Sequence, residues 1–181
     1  MFPMTNVAVV IPVRDDPMVV VAVRSAVGQA DRVYVVDDGS TDPETLAVLD
    51  SLEDCTLIRT ERHGVCAARN TGMDRALAEG AGLIQFLDAD DWLSDGKIAA
   101  QAAATSRDGS WCAVRIITPY GEKVLAHEYP DLGPEVRDGY VPQTGSFLFG
   151  RAICESVRWD EALEQPGTTY AFVWAALDAG F

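Results

Sequence analysis

Three groups of charged and polar residues stand where short apolar runs end: Arg14-Asp15-Asp16, Asp37-Asp38-Gly39-Ser40 and Asp88-Ala89-Asp90-Asp91. Carboxylates brought close together raise one another's energy unless a positive charge offsets them. A hard cation with oxygen ligands does so, and a D-x-D turn lets Asp88 and Asp90 face the same ion. Such a site keeps open positions for the two phosphates of a nucleotide diphosphate. Taken singly, Asp37 and Asp42 read as helix caps and Asp91 as a residue at the start of a helix. Trp92 and Trp111 read as core rings. Arg69 reads either as a surface residue or as a functional one, because it lies in a helix that otherwise packs small residues. His63 and His127 are too few and too isolated for a histidine metal site or a nucleophilic triad.

The elements that would position these groups follow from the apolar pattern. Val7 to Ile11 is an unbroken apolar run ending at Pro12, as expected of a buried central strand. Val19, Val20, Val23, Ala26 and Val27 recur at helical spacing until Gly28. Arg32 to Val36 is a second strand, and Thr41 or Asp42 caps a helix beginning at Pro43, lined by Leu46, Leu49 and Leu52. Cys55 to Arg59 is a third strand. Gly64 opens a longer helix with Val65, Ala68, Gly72, Ala76 and Leu77 on its inner stripe. Leu83 to Leu87 is a fourth strand, delivering Asp88, Asp90 and Asp91 at its carboxyl end. The order βαβαβαβ predicts a parallel sheet with right-handed crossovers. In such sheets ligands bind outside the carboxyl ends of the strands, where all three clusters fall.

Beyond residue 98 the character changes. A helix from about Ser94 to Thr105 precedes a hairpin, Trp111 to Thr118 and Glu122 to Ala126, around Pro119-Tyr120-Gly121. A Pro- and Gly-rich stretch from Tyr129 to Thr144 reads as a long loop over a site, with a role in acceptor choice. Ser146 to Phe149 is a short strand, and a last helix places Tyr170, Val173, Trp174 and Leu177 on one face. The reading is one α/β domain over 1–181, with a first half (1–98) carrying the clusters and a second half (99–181) beside it. The second half is the smaller, antiparallel and irregular part.

Composition narrows the classes of function. The 181 residues include 48% apolar and 23% charged side chains, a globular balance. Lys and Arg number 14 against 28 Asp and Glu, a formal net charge of −14. That field repels a phosphate backbone, and no basic stripe offers a local exception, so nucleic acid is excluded as a partner. A diphosphate would need a metal ion to be held here. Cys55, Cys66, Cys112 and Cys154 form no C-x-x-C pair, which points to reduced, mostly buried thiols and a cytoplasmic location. No leader pattern opens the sequence and no segment reaches bilayer-spanning apolar length.

Four segments together carry a resemblance: V-A-V-V-I-P-V-R-D, V-Y-V-V-D-D-G-S-T-D, G-V-C-A-A-R-N-T-G and I-Q-F-L-D-A-D-D-W. In order and spacing they resemble the signatures of the large inverting family 2 of glycosyltransferases, over residues 7 to about 98. The resemblance implies a GT-A fold, which is Rossmann-related, with a mostly parallel sheet flanked by helices. It implies a nucleotide-diphosphate sugar donor, a UDP-sugar first among them, and Mn²⁺ or Mg²⁺ at the D-x-D loop. It places Pro12 and Arg14 beside the nucleoside, Asp38 on the base, and Arg69 near the base or diphosphate. Asp88 would meet the ribose or metal, and Asp90 would be the main metal ligand. Arg14 stands where many relatives have an aromatic ring, so its guanidinium would stack on the base instead.

The resemblance also implies a mechanism in which an acceptor hydroxyl attacks the anomeric carbon opposite the leaving nucleotide. The metal offsets charge on the departing diphosphate, and a carboxylate takes the hydroxyl proton. Relatives carry that base in a Glu-Asp pair opening a late helix, and Thr168 and Thr169 fall at the corresponding positions here. Threonine cannot act as a general base at neutral pH, which makes Glu164 the candidate, with Glu161 as the alternative. Two other functions stay open: a catalytically inactive domain that binds nucleotide-sugar or a protein partner, and a sugar nucleotidyltransferase. The last would want a Gly-rich phosphate loop after the first strand, and Pro12-Val13-Arg14-Asp15-Asp16 has no glycine.

Overall fold

The computed structural model describes residues 6–105, 109–118, 120–125, 143–163 and 167–181. The chain runs β1 (Val7–Val13), α1 (Val19–Ala26), β2 (Arg32–Asp38), α2 (Pro43–Asp50), β3 (Thr56–Thr60), α3 (Val65–Ala78) and β4 (Leu83–Phe86). It continues through α4 (Lys97–Ala104), β5 (Gly109–Trp111), β6 (Val114–Thr118), β7 (Gly121–Leu125) and a 3₁₀ turn (Thr144–Ser146). The last elements are β8 (Phe147–Gly150), α5 (Arg151–Ser156) and α6 (Thr168–Asp178). Among the described residues, six strands form one sheet in the order β3-β2-β1-β4-β8-β5. The first four are parallel, and β8 and β5 join antiparallel to their neighbours. Strands β6 and β7 pair separately as a hairpin.

Every residue of β1 is buried, as its continuous apolar run requires of a central strand. Its alternate residues feed two cores. Val7, Val9, Ile11 and Val13 pack with α1, Leu49 and Ile98 on one face. Ala8 and Val10 pack with α3, Phe86, Trp159 and α6 on the other. Helix α3 lies unusually close to the sheet because it presents Gly72: a Cβ there would overlap Val10 Cγ1 and stand 3.1 Å from Val36 Cγ2. Asp42 caps α2 by accepting from Thr45 N at 2.7 Å, with Pro43 in the first turn.

Several details depart from the sequence reading. Trp111 is not part of the hairpin but ends β5, an edge strand of the main sheet opposite Phe147. Helix α4 starts at Lys97 rather than Ser94, since Gly96 in the left-handed region (φ 74°) sets its beginning. Asp91 lies in the turn after β4, well before α4, and so does not start that helix. Asp37 caps no helix; its carboxylate accepts from Ser40 N and pairs with Arg59. The buried face of α6 is Phe172, Val173 and Ala176, with Tyr170, Trp174 and Leu177 only partly covered. That helix is apolar nearly all round, so its period alone does not single out a face. The segment from Ala126 to Pro142 lies outside the described residues, which takes in His127 and most of the proposed acceptor loop. No helix of the described residues is long and apolar enough to cross a membrane.

Candidate functional site

The chain places β2 and β3 to one side of β1 and β4 to the other, so the strand order reverses between β1 and β4. A crevice opens at the carboxyl ends of strands at such a point. Pro12, Val13, Arg14 and Asp38 line a cavity of about 450 Å³ at the carboxyl ends of β1 and β2, together with Arg62, Gly64, Val65 and Leu163. That volume suits a nucleoside-sized ligand. Three of the residues expected at the donor, Pro12, Arg14 and Asp38, thus come together in one place.

Backbone amides fix the walls of this cavity. Asp38 is buried, and its carboxylate accepts from His63 N at 2.7 Å and from Gly64 N at 2.9 Å. The loop into α3 is therefore tied to the end of β2, and lone-pair capacity remains for a further donor. Asp15 takes the left-handed conformation at φ 48° and accepts from Thr41 N and Asp42 N at 2.6 and 2.8 Å. These amides hold its carboxyl below the ordinary value, with the Arg14 guanidinium a lesser contribution. Asp15 is committed to joining two loops, which leaves Arg14 to face the cavity.

On the neighbouring strand end the central contact is Arg69 with Asp88. Arg69 is wholly buried; its Nη2 donates to Asp88 Oδ1 at 2.6 Å and its Nη1 to Thr168 Oγ1 at 3.0 Å. Its guanidinium carbon lies 4.5 Å over the Trp159 ring. Arg69 lines neither of the cavities described, so its position is behind Asp88 rather than beside an open site. Asn70, next to it, accepts from Trp159 N and donates to Trp159 O and Glu161 Oε1. One turn of α3 thereby anchors the segment that leads into α6.

Thr168 and Thr169 open α6 and are both buried. Thr168 takes the Arg69 bond, and Thr169 shares a hydrogen bond of 2.6 Å with Thr144. These hydroxyls pair inside the protein and offer no carboxylate. Glu164 lies outside the described residues. Glu161 is exposed, with one oxygen on Asn70.

Asp90 is exposed and carries no side-chain hydrogen bond or ion pair among the described residues. Asp88 is 29% exposed at its side chain and uses Oδ1 for Arg69. Among the described residues no three His, Cys, Asp or Glu side chains gather as a metal-holding set. A cation caged by protein alone therefore does not fit. Mg²⁺ or Mn²⁺ needs only one or two carboxylates when a substrate's phosphates supply the other oxygens. Asp90 with the free oxygen of Asp88 fits that second kind of site.

A second cavity, of about 320 Å³, lies between the loop after β4, the start of α4, the segment following β5 and the 3₁₀ turn. Its walls include Asp91, Trp92, Lys97, Cys112, Arg115 and Gly145. Trp92, expected in the core, is 49% exposed there, because the loop after β4 carries it to the cavity edge instead of under the sheet. Burial in the cavity wall, followed by the charges of Asp88 and Asp90, pushes the Asp91 carboxyl up to about 6. Burial draws the Lys97 amine down to about 8. The sequence reading missed Lys97 and this cavity. The signal was present: Lys97 is the sole charged residue of the helix K-I-A-A-Q-A-A-A.

No curated protein matches the chain. Among solved structures, residues 1–349 of TarS from S. aureus superpose with a TM-score of 0.70 at 17% identity, covering 94% of this chain and 55% of that one. The mannosyltransferase PcManGT from Pyrobaculum calidifontis, in complex with GDP-Man and Mn²⁺, gives 0.65 at 18% identity, covering 97% of this chain and 53% of that one. A nucleotidyl transferase from Methanothermobacter thermautotroptrophicus gives 0.62 at 13% identity, with coverages of 97% and 83%. Identities this low speak for the fold alone, a GT-A arrangement. The chain spans about half the length of the TarS and PcManGT structures. The sequence profile of glycosyl transferase family 2 matches residues 8–150, so the chain belongs to that family.

Proposed function

We propose that this chain moves a sugar from a nucleotide-diphosphate donor to an acceptor hydroxyl, with inversion at the anomeric carbon. The observation carrying the reading is the cavity of about 450 Å³ lined by Pro12, Arg14 and Asp38 at the carboxyl ends of β1 and β2. In this reading Asp38 accepts from the base and the Arg14 guanidinium lies against it. Asp90 and the free oxygen of Asp88 would hold Mn²⁺ or Mg²⁺, which when bound offsets the charge of the diphosphate leaving group. Arg69 holds Asp88 in place through the ion pair at 2.6 Å. TarS crystallised with UDP and with UDP-GlcNAc, and the mannosyltransferase with GDP-Man, support a nucleotide-sugar as donor; a UDP-sugar is the first to test. Glu164, a few residues before α6, is the proposed base for the acceptor hydroxyl.

A second reading is favoured by one observation: Thr168 and Thr169 fill the first turn of α6 with internally bonded hydroxyls. A domain of that kind binds donor without transferring it. The nucleotidyl transferase likeness at 13% identity concerns the fold only.

Calorimetric titration of UDP, GDP, CDP and TDP with and without Mn²⁺, against the native chain and Asp90→Ala, tests the donor site. Metal-dependent binding of one nucleotide, weakened at least tenfold in Asp90→Ala, is expected. No binding of any of the four to folded protein would overturn both readings. Binding without sugar transfer, and without hydrolysis of the donor, would select the second.

A further inference from the structure

Lys97 is the group in the second cavity that the proposed reaction leaves unexplained. Lys97 is half-buried, and an ammonium partly removed from water gains from an opposite charge nearby. Lys97 has none within ion-pair distance among the described residues. Its Nζ donates instead to two neutral amide oxygens, Gln85 Oε1 and Gln101 Oε1. Those amides are fixed in turn: Gln101 Nε2 donates to Ser110 O and Ser146 O, and Gln85 Nε2 to Gly145 O. The amine is thus positioned by β4, α4, β5 and the 3₁₀ turn at once. An ammonium has three donors and the amides take two, so the third remains for whatever fills the cavity.

The cavity wall carries charges of both signs. Asp91 has Asp88 and Asp90 as its charged neighbours, whereas Lys97 has the Cys112 thiol. No ion pair joins Asp91 to Lys97 among the described residues. Both residues line the cavity, Asp91 exposed and Lys97 half-buried. Arg115 adds a second cation to the wall, although Glu122 pairs with it at 3.1 Å. At the rim, Trp92 exposes half its surface, an apolar face of the size of a sugar ring.

We propose that this cavity is an anion-selective sugar subsite, in which Lys97 binds a carboxylate or phosphate group carried by one of the two substrates. The anion is the new element; that its bearer is a sugar rests on the transfer reading above. The same chemistry has two sources, a uronate-type sugar on the donor nucleotide or an acidic or phosphorylated sugar as acceptor.

Ligand-observed NMR affinities of glucuronate, glucose 6-phosphate and glucose, measured with saturating UDP and Mn²⁺, test the acceptor arm. UDP-glucuronate against UDP-glucose tests the donor arm. Native protein should prefer the acidic member of a pair by tenfold or more in one arm, and the arm identifies the source. Lys97→Gln, which keeps hydrogen bonding without charge, should bring that preference close to one, while Lys97→Arg should retain most of it. A purely structural Lys97 would change both members of a pair alike. No preference in either arm with native protein, or a preference undiminished in folded Lys97→Gln, would overturn the proposal. If UDP fails to bind yet free glucuronate or glucose 6-phosphate is preferred through Lys97, the anion site stands and the transferase reading falls.

Discussion

At Arg69 a guanidinium has lost all contact with solvent, and what compensates it is unequal on its several sides. Among the described residues Asp88 supplies the one opposite charge, Thr168 an acceptor and Trp159 a π-face, while Nε finds no partner. Removing one partner of such a pair strands the other charge in the interior. Asp88→Ala should lower unfolding free energy by roughly 2–4 kcal/mol, the range for broken buried pairs reduced for the partial exposure of Asp88. Asp90→Ala, at an exposed carboxylate without partners, should shift it by less than about 0.5 kcal/mol. Urea denaturation of both variants checks this, and equal stability of the two would contradict the assigned role of Arg69. The practical consequence is that Asp90, not Asp88, isolates ligand binding from folding. Little of this was legible from residue types. Arg69 in a helix of small residues hinted at burial, but its partners lie 19 and 99 positions away, in the loop after β4 and at the start of α6, and only the tertiary fold brings both to α3.

At the scale of elements, legibility followed the strength of the local pattern. Strands β1, β2 and β4 are buried on both faces, so their apolar runs stand out and their ends mark the switch point. Beyond β4 the weak case is β5, which has only three residues, none fully buried. Such a segment has no period of its own, and β5 owes its place beside β8 to tertiary pairing, which is why Trp111 was read into the hairpin. Helix α3 joins the two kinds of information. Its Gly72 was legible as part of an inner stripe, but not as the point of closest approach to β1. Gly72→Ala gains helix propensity of about 1 kcal/mol yet places a methyl group onto Val10 Cγ1. The overlap should win, because Val10 and Val36 are themselves fully packed. Overpacking costs about 1–3 kcal/mol, so after the propensity gain a net loss of up to roughly 2 kcal/mol is expected. A Gly72→Ala variant as stable as the native chain in chemical denaturation would show that α3 can move away from the sheet without penalty.

For the molecule as a whole, the net charge of −14 and the crevice at the rim make separable contributions to stability. Self-repulsion among like charges destabilises a compact state, and any salt relieves it by screening. A Mn²⁺ and nucleotide complex acts differently, since a ligand that binds only the folded state stabilises it by RT ln(1 + [L]/Kd), about 2.7 kcal/mol at a hundredfold excess over Kd. In a chain of this size each kcal/mol moves the melting temperature by about 2–4 °C, so saturation should raise it by roughly 5–10 °C. Thermal unfolding in NaCl, in MnCl₂ of equal ionic strength, in UDP alone and in both together separates the terms. Screening should appear in both salts, and to the same degree in Asp90→Ala. The large increment should need UDP and Mn²⁺ together, and should be absent from Asp90→Ala. Were UDP alone to give the full increment, Arg14 and Arg62 would be holding the diphosphate unaided, and the acidic loop after β4 would have no metal to serve. Were Mn²⁺ alone to give it, the ion would be caged by protein side chains, against the two-carboxylate geometry of Asp88 and Asp90.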